Sequence, residues 1–238
     1  EGIHRDYIEI AYAGTDRLYL PASNLDQLQK YIGNEGDVPR IHKMGGSDWR
    51  KAVNKAQKSI DDLADKLVEL YAKREITEGF AFLPDQPWQQ EFEDAFPYEE
   101  TEDQLQATRE IKESMERPTP MDRLLAGDVG FGKTEVAMRA IFKAVVSGKQ
   151  VAVLVPTTVL AQQHYQTFLN RFNPFGVKVD VLNRFRSTAE KKEVLKGVEN
   201  GSIDILIGTH SLLNKKVKFK DLGFLVVDEE QRFGVAQK

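Results

Sequence analysis

Residues Gly127-Asp128-Val129-Gly130-Phe131-Gly132-Lys133-Thr134 fit the pattern G-x-x-x-x-G-K-[ST] in full, between a short apolar run and a helix-patterned segment. Glycines at this spacing let a loop close around phosphate with its backbone N–H groups turned inward, and the helix that follows adds the positive end of its dipole. In that arrangement Lys133 reaches the β- and γ-phosphates of a nucleoside triphosphate and the Thr134 hydroxyl ligates Mg²⁺. A glycine turn with no phosphate role is the competing reading. Further on, the apolar run Phe224-Leu225-Val226-Val227 leads straight into Asp228-Glu229-Glu230-Gln231. Acids delivered there are costly unless used, and a phosphate loop gives them a use. Asp228 would hold Mg²⁺ and Glu229 would polarise the water that attacks the γ-phosphate in line. Taken by itself the acidic box reads equally well as an ordinary loop after a strand.

These residues need a scaffold that brings them to one edge, and the pattern from about 84 to 238 supplies one. Short apolar runs at Leu124-Leu125-Ala126, Val151 to Val155, Val177 to Leu182, Ile203 to Ile207 and Phe224 to Val227 alternate with helical stretches at 133 to 147, through Leu160 and Phe168, and over 188 to 200. That alternation predicts an α/β fold with a mainly parallel sheet covered on both faces, whose ligands gather at the carboxyl ends of its strands. Arg184-Phe185-Arg186-Ser187 follows one such run and offers cations and an aromatic ring for nucleic-acid phosphates and bases.

Two further segments precede this domain. Residues 1–43 read as a β-hairpin, Tyr7 to Tyr12 and Arg17 to Pro21 around Ala13-Gly14-Thr15-Asp16, then a short helix capped by Ser23, carrying Leu25, Leu28 and Ile32 and stopped at Gly33. Two strands and one short helix bury no core of their own, and the chain begins without methionine in the approach to a strand, so it is expected to be an internal piece of a longer protein. Residues 44–83 centre on a long amphipathic helix, with Trp49, Val53, Ala56, Ile60, Leu63, Leu67 and Leu70 at alternating spacings of four and three. A bridging helix packed by one stripe and a coiled coil are its two readings.

Composition narrows the class. The 238 residues are 41% hydrophobic with a formal net charge of -4, which argues against a uniformly basic nucleic-acid coat, although ten Lys or Arg against five Asp or Glu between Lys178 and Lys220 leave room for a local basic face. With no cysteine there is neither disulfide nor thiolate zinc site, and His4, His42, His164 and His210 show no metal-ligand spacing. No apolar stretch approaches the roughly 18 to 20 residues of a membrane span and no signal-peptide pattern opens the chain, so no membrane partner and a cytoplasmic location are expected.

The phosphate loop with the acidic box resembles the signature of superfamily-2 helicases and translocases, and other stretches resemble that family's motifs in order. Phe96 with Thr101-Glu102-Asp103-Gln104 is similar to its adenine-recognition motif, which implies ATP as the nucleotide. Gln104 would bond the adenine edge and Phe96 would stack on the ring. Thr-x-x-Gln is also a helix capping box, and the two readings are compatible. Pro156-Thr157-Thr158-Val159-Leu160-Ala161-Gln162-Gln163 and Gly208-Thr209-His210 resemble motifs that set hydroxyls and backbone N–H groups against nucleic-acid phosphates, with simple helix capping by Thr157 or Thr209 as the alternative. Together with the basic-aromatic cluster, these motifs make Thr157, Arg184, Arg186, Thr209 and His210 the expected double-stranded DNA track.

Within superfamily 2, the stretches GDVGFGKTEVAMR (127 to 139), Asn183-Arg184-Phe185-Arg186-Ser187, Asp204 to His210 and Asp228-Glu229-Glu230-Gln231-Arg232-Phe233-Gly234-Val235 resemble the bacterial transcription-repair coupling factors. This likeness covers essentially the whole chain. It implies three parts: a partial Tudor- or CarD-like RNA-polymerase-interacting region at 1–43, a connecting helix at 44–83, and the first RecA-like motor lobe at 84–238. It also implies partners, namely the RNA polymerase β subunit and, for the full-length protein, nucleotide excision repair proteins. RecG-type branch-migration helicases share the loop and the acidic run but usually carry Ser where Phe131 stands. A non-catalytic partner-binding module with a structural nucleotide site is the reading from another class. In this family ATP sits between two lobes. A chain ending at Lys238 is therefore expected to bind nucleotide better than it turns it over.

Overall fold

The computed structural model describes residues 6–28, 41 and 43–229, which divide into two compact units, Glu1–Lys73 and Arg74–Lys238. In the first unit, strands β1 (Tyr7–Ala11) and β2 (Arg17–Pro21) pair antiparallel, from Tyr7 opposite Pro21 to Ala11 opposite Arg17, and Glu9 pairs with Arg17 at 3.0 Å. The expected short helix is a 3-10 turn, Ala22–Gln27, led in by Pro21 rather than capped by Ser23, and Leu28 is already extended. Ile32 and Gly33 lie outside the described residues, as do His4, Arg5 and His42. Helix α1 (Ser47–Ile76) runs for 30 residues, two past the expected end near Arg74. Of the stripe expected to pack, Val53, Ile60, Leu67 and Leu70 are exposed. The small hairpin presents Tyr7, Leu18 and Tyr19 to solvent as well.

The second unit holds α2 (Pro87–Asp94), α3 (Glu102–Met115), α4 (Lys133–Val146), β3 (Gln150–Leu154), α5 (Thr158–Phe172), β4 (Val179–Leu182), α6 (Thr188–Asn200), β5 (Ile205–Gly208) and β6 (Leu222–Val227). The sheet is parallel in the order β4-β5-β3-β6. Successive residues of a strand face opposite ways, and two cores form accordingly. Val151, Val153, Val179, Val181, Ile205 and Ile207 pack with α2 to α5, while Leu154, Leu182 and Leu206 pack with Val194 and Val198 of α6. Helices thus cover both faces, as the alternation predicts. On β6 the second face is bare: Phe224 and Val226 join the larger core, whereas Leu225 and Val227 are exposed.

The apolar run Leu124-Leu125-Ala126 does not form a strand among the described residues. Leu125 packs on the core, but Leu124 is exposed, and the flanking Asp122 and Arg123 are tied to Arg74 and Glu110. A three-residue run held at its entry by ion pairs and released into a glycine loop has too little backbone to sustain a ladder without a neighbouring edge.

The ion pairs under α4 centre on a buried ammonium. Lys143 is 2% exposed, with its ammonium on Asp85 at 2.8 Å and Glu116 at 2.7 Å; Asp85 also accepts from Lys112 of α3 at 2.7 Å. Burial pushes the Asp85 carboxyl up, but the hydrogen bonds from Lys112 and Lys143 prevail and hold it below its ordinary value of 3.8. Its stabilisation is therefore complete above that value and is lost as pH falls through the lower folded-state value. Removing both negative charges with D85N/E116Q leaves the buried ammonium with neutral acceptors only and should destabilise the unit by up to about 3 kcal/mol, since the two carboxyl groups are 43% and 38% exposed, whereas Lys143→Met should cost clearly less. Urea midpoints of the two variants check this; equal losses would show that the charge itself is not what matters.

Candidate functional site

The phosphate-loop candidate turns on Phe131 N–H donating to Asp128 C=O at 3.3 Å. Gly132 is the N-cap of α4 with φ 74, in the left-handed region, and a Cβ added there would collide with the Gln104 amide. Only glycine meets both demands. Lys133 and Thr134 therefore open α4 where its unpaired N–H groups and positive dipole end converge. The Lys133 ammonium folds back onto the loop, donating to the carbonyls of Gly127 and, at 2.7 Å, Asp128. Val129 is 94% exposed and Phe131 62% exposed, so the loop tip carries apolar side chains outward.

Gln104 stands against this loop. Thr101 caps α3 by accepting from Gln104 N–H, and Gln104 Oε1 accepts from Thr101 N–H at 3.1 Å, a closed capping box. The same side chain donates through Nε2 to Phe131 C=O at 3.0 Å. A side-chain amide has two N–H groups and two lone pairs, so one of each remains for a ligand. Capping and base recognition are thus compatible on this side chain. Phe96 is half-buried among cations and rings: Tyr98 at 5.5 Å, the Arg139 guanidinium at 5.5 Å and that of Arg171 at 6.0 Å. Both arginines bind Glu135 of α4, Arg139 at 3.1 Å and Arg171 at 2.8 Å, and Arg139 reaches Glu100 at 2.8 Å. Nothing in the sequence pattern singled out this network beyond the i, i+4 spacing of Glu135 and Arg139.

Asp228 lies one residue past β6, its N–H continuing the ladder to Leu154 C=O at 2.9 Å. Its Oδ2 is 2.7 Å from His164 Nε2. The hydrogen bond from His164 holds the carboxyl below the usual carboxylate range; burial opposes this, and the Lys133 charge works in the same direction as His164. Glu229 has φ 53, an uncommon backbone for this residue type, and turns the chain out of the strand. Glu230, Gln231 and the run Arg232 to Val235 lie outside the described residues. The sequence pattern alone gives His164 no role. Its signal is positional, six residues into the helix that begins just after Thr157.

Register aligns the rest. Leu154 sits opposite Gly208 and Val227, and Leu182 opposite Gly208, so four strands end level. Thr157, Arg184, Thr209 and Asp228 follow those ends within three residues, on one edge. Thr157 is exposed and caps α5 through Leu160 N–H; Thr209 is buried at 8% exposure with Ser211 as its hydroxyl neighbour; His210 is exposed. Arg184 is exposed, its guanidinium 5.4 Å from the Phe185 ring centre. Arg186 differs: it is held by Asp180 at 2.6 Å and Glu190 at 3.4 Å, and its guanidinium lies 5.7 Å from the Tyr165 ring centre. Asn183, 4% exposed, shapes this corner by donating to Gln162 Oε1 and accepting from Phe185 N–H.

Among the described residues no cluster of three or more His, Cys, Asp or Glu could cage a metal ion, and no helix is long and apolar enough to cross a membrane. A hydroxyl and a single ionised carboxylate beside a phosphate loop are the donor set that suits Mg²⁺, which keeps waters and shares its shell with phosphate oxygens. Thr134 and Asp228 fit that chemistry.

A family model described as DEAD/DEAH box helicase matches residues 101–238, more than half of the chain, and one described as CarD-like/TRCF RID domain matches residues 1–32. Over 237 residues the chain is 57% identical to the transcription-repair-coupling factor of Bacillus subtilis (strain 168), covering 100% of this chain and 20% of that protein. The factor from Staphylococcus haemolyticus (strain JCSC1435) is 54% identical over 236 residues, 99% of this chain and again 20% of the relative. The chain thus spans about a fifth of the length of these curated relatives. Among solved structures, RecG bound to a three-way DNA junction superposes with a TM-score of 0.65 at 38% identity, over 70% of this chain and 23% of that one. The parallel sheet is that of a RecA-like core, and the chain belongs to the DEAD/DEAH box helicase family.

Proposed function

We propose that the chain carries the first motor lobe of an ATP-driven double-stranded DNA translocase that acts on stalled RNA polymerase and so links transcription to nucleotide excision repair. The supporting observation is the identity with transcription-repair-coupling factors over essentially the whole chain, in which the phosphate loop, Gln104 and Asp228 are set around one sheet edge. A RecG-like branch-migration helicase shares that motor chemistry. The match of residues 1–32 to an RID domain favours the polymerase-directed reading and RNA polymerase as the partner of the N-terminal region, with residues 44–83 connecting it to the motor.

In this reading the amides of residues 130–134 cradle the phosphates. Lys133 exchanges two neutral carbonyl acceptors for anionic phosphate oxygens, which adds attraction between opposite charges to its hydrogen bonds. Thr134 and Asp228 would hold Mg²⁺, which neutralises charge developing on the phosphates when bound. Glu229 orients the attacking water, and Gln104 with Phe96 receives the adenine. In a two-lobed motor, turnover also needs cationic help from the opposite lobe, so this lobe alone binds better than it hydrolyses.

The exposed side chains at the sheet edge offer DNA hydroxyls and cations but no helix or ribbon shaped to read base edges, so contact is with phosphates and independent of sequence. Thr157, Arg184 and His210 are exposed there. Arg186 joins only by leaving Asp180, and Thr209 contributes from a buried position.

Three measurements test this. Lys133→Ala should abolish or severely weaken ATP binding by calorimetry without lowering the melting temperature; unchanged affinity would remove the phosphate-loop role. Gln104→Ala should narrow the preference for ATP over GTP by roughly 1 to 3 kcal/mol. Equal losses for both nucleotides would leave Gln104 as a tether of the loop alone. Finally, Arg184→Ala should flatten the salt dependence of duplex binding by about one ion equivalent, and Arg186→Ala by less. Anisotropy on two unrelated duplexes reads this, and a strong preference for one duplex would contradict a phosphate track.

A further inference from the structure

Resting on the ATP and Mg²⁺ reading of Asp228, we infer that His164 is a positioning residue that fixes which carboxylate oxygen of Asp228 is presented to the metal. The backbone of Asp228 is set by its ladder bond to Leu154, which leaves the side-chain torsions as the freedom that matters. An ionised carboxylate can only accept, so the 2.7 Å contact places the ring proton on His164 Nε2 and commits Oδ2 to it. Oδ1 is the oxygen that His164 does not take, and a carboxylate has lone pairs enough to meet a metal or its water as well as the Glu229 N–H.

The ring is itself held. His164 packs edge-on against Phe168, 5.9 Å between centres, and Phe168 is 1% exposed in the larger core. The orientation of Asp228 is therefore tied to the packed interior through the His164 ring, with the Glu229 backbone N–H as the carboxylate's other donor; the His164 side chain is 11% exposed and that of Asp228 33%. Partners that orient a metal-binding carboxylate typically change metal affinity by ten- to a hundredfold when removed, while leaving metal-free binding alone. A bond that merely ties α5 to β6 would instead alter stability and all nucleotide binding together. The same helix begins beside Thr157, so the orienting group rides on the element that lines the proposed DNA edge.

The test uses the 238-residue chain with a fluorescent ADP analogue, titrated first in EDTA and then with rising Mg²⁺. His164→Gln keeps an N–H at similar reach; His164→Met keeps bulk without a donor, and His164→Ala replaces it if Met fails to fold. The expected result is equal affinity for all variants in EDTA, a Mg²⁺ midpoint about tenfold or more higher for Met or Ala, and recovery to within about threefold of wild type for Gln. A wild-type Mg²⁺ midpoint in the Met or Ala variant would overturn the positioning role, and so would a loss as large in EDTA as in Mg²⁺. Absence of any nucleotide binding by the wild-type chain would instead overturn the ATP reading beneath it.

Discussion

Level strand ends are the constraint on which the rest of this structure depends. Because Leu182, Gly208, Leu154 and Val227 share one register across β4, β5, β3 and β6, each loop that leaves the sheet starts from the same line. Parallel pairing makes this possible, since every strand then ends at the same edge. Slipping one strand by one residue would turn its buried valines or leucines to the opposite face and break one of the two cores, so packing enforces the alignment. Asp228 is placed by that ladder, as its bond to Leu154 shows.

Around this edge the side chains are braced from inside. Arg139 and Arg171 converge on Glu135 beneath the first turns of α4, Gln104 ties α3 to the loop through Phe131, and His164 ties α5 to Asp228. Two helices are joined to the candidate phosphate site in this way, α3 through Gln104 and α5 through both Arg171 and His164. A site whose ligands must sit within fractions of an ångström gains from such ties, because charge arranged beforehand need not reorganise during reaction.

Much of this was legible in the sequence. The glycine loop and the strand-helix alternation carry strong local signals, the acidic box takes its meaning from them, and the observed elements α4 and α6 fall within a residue of the expected spans. What escaped depends on distant partners. Leu124 to Ala126 has the composition of a strand but lacks a pairing edge among the described residues. Ser23 has the chemistry of a cap, yet Pro21 leads the chain into a 3-10 turn. Arg186 has the composition of a phosphate contact, but alternation along β4 puts Asp180 within its reach, and a carboxylate at 2.6 Å claims it. His164 was invisible because its role comes from a residue sixty-four positions later.

In the proposed function, phosphate and metal meet at this edge, between the α4 N-terminus and the end of β6. Hydrogen exchange of backbone amides, with and without a Mg²⁺-bound nonhydrolysable ATP analogue, reads it most directly. Slowed exchange is expected at residues 127–137 and around Asp228, with residues 7–21 of the hairpin unchanged. Unaltered exchange at 127–137, with protection elsewhere in the chain, would contradict it.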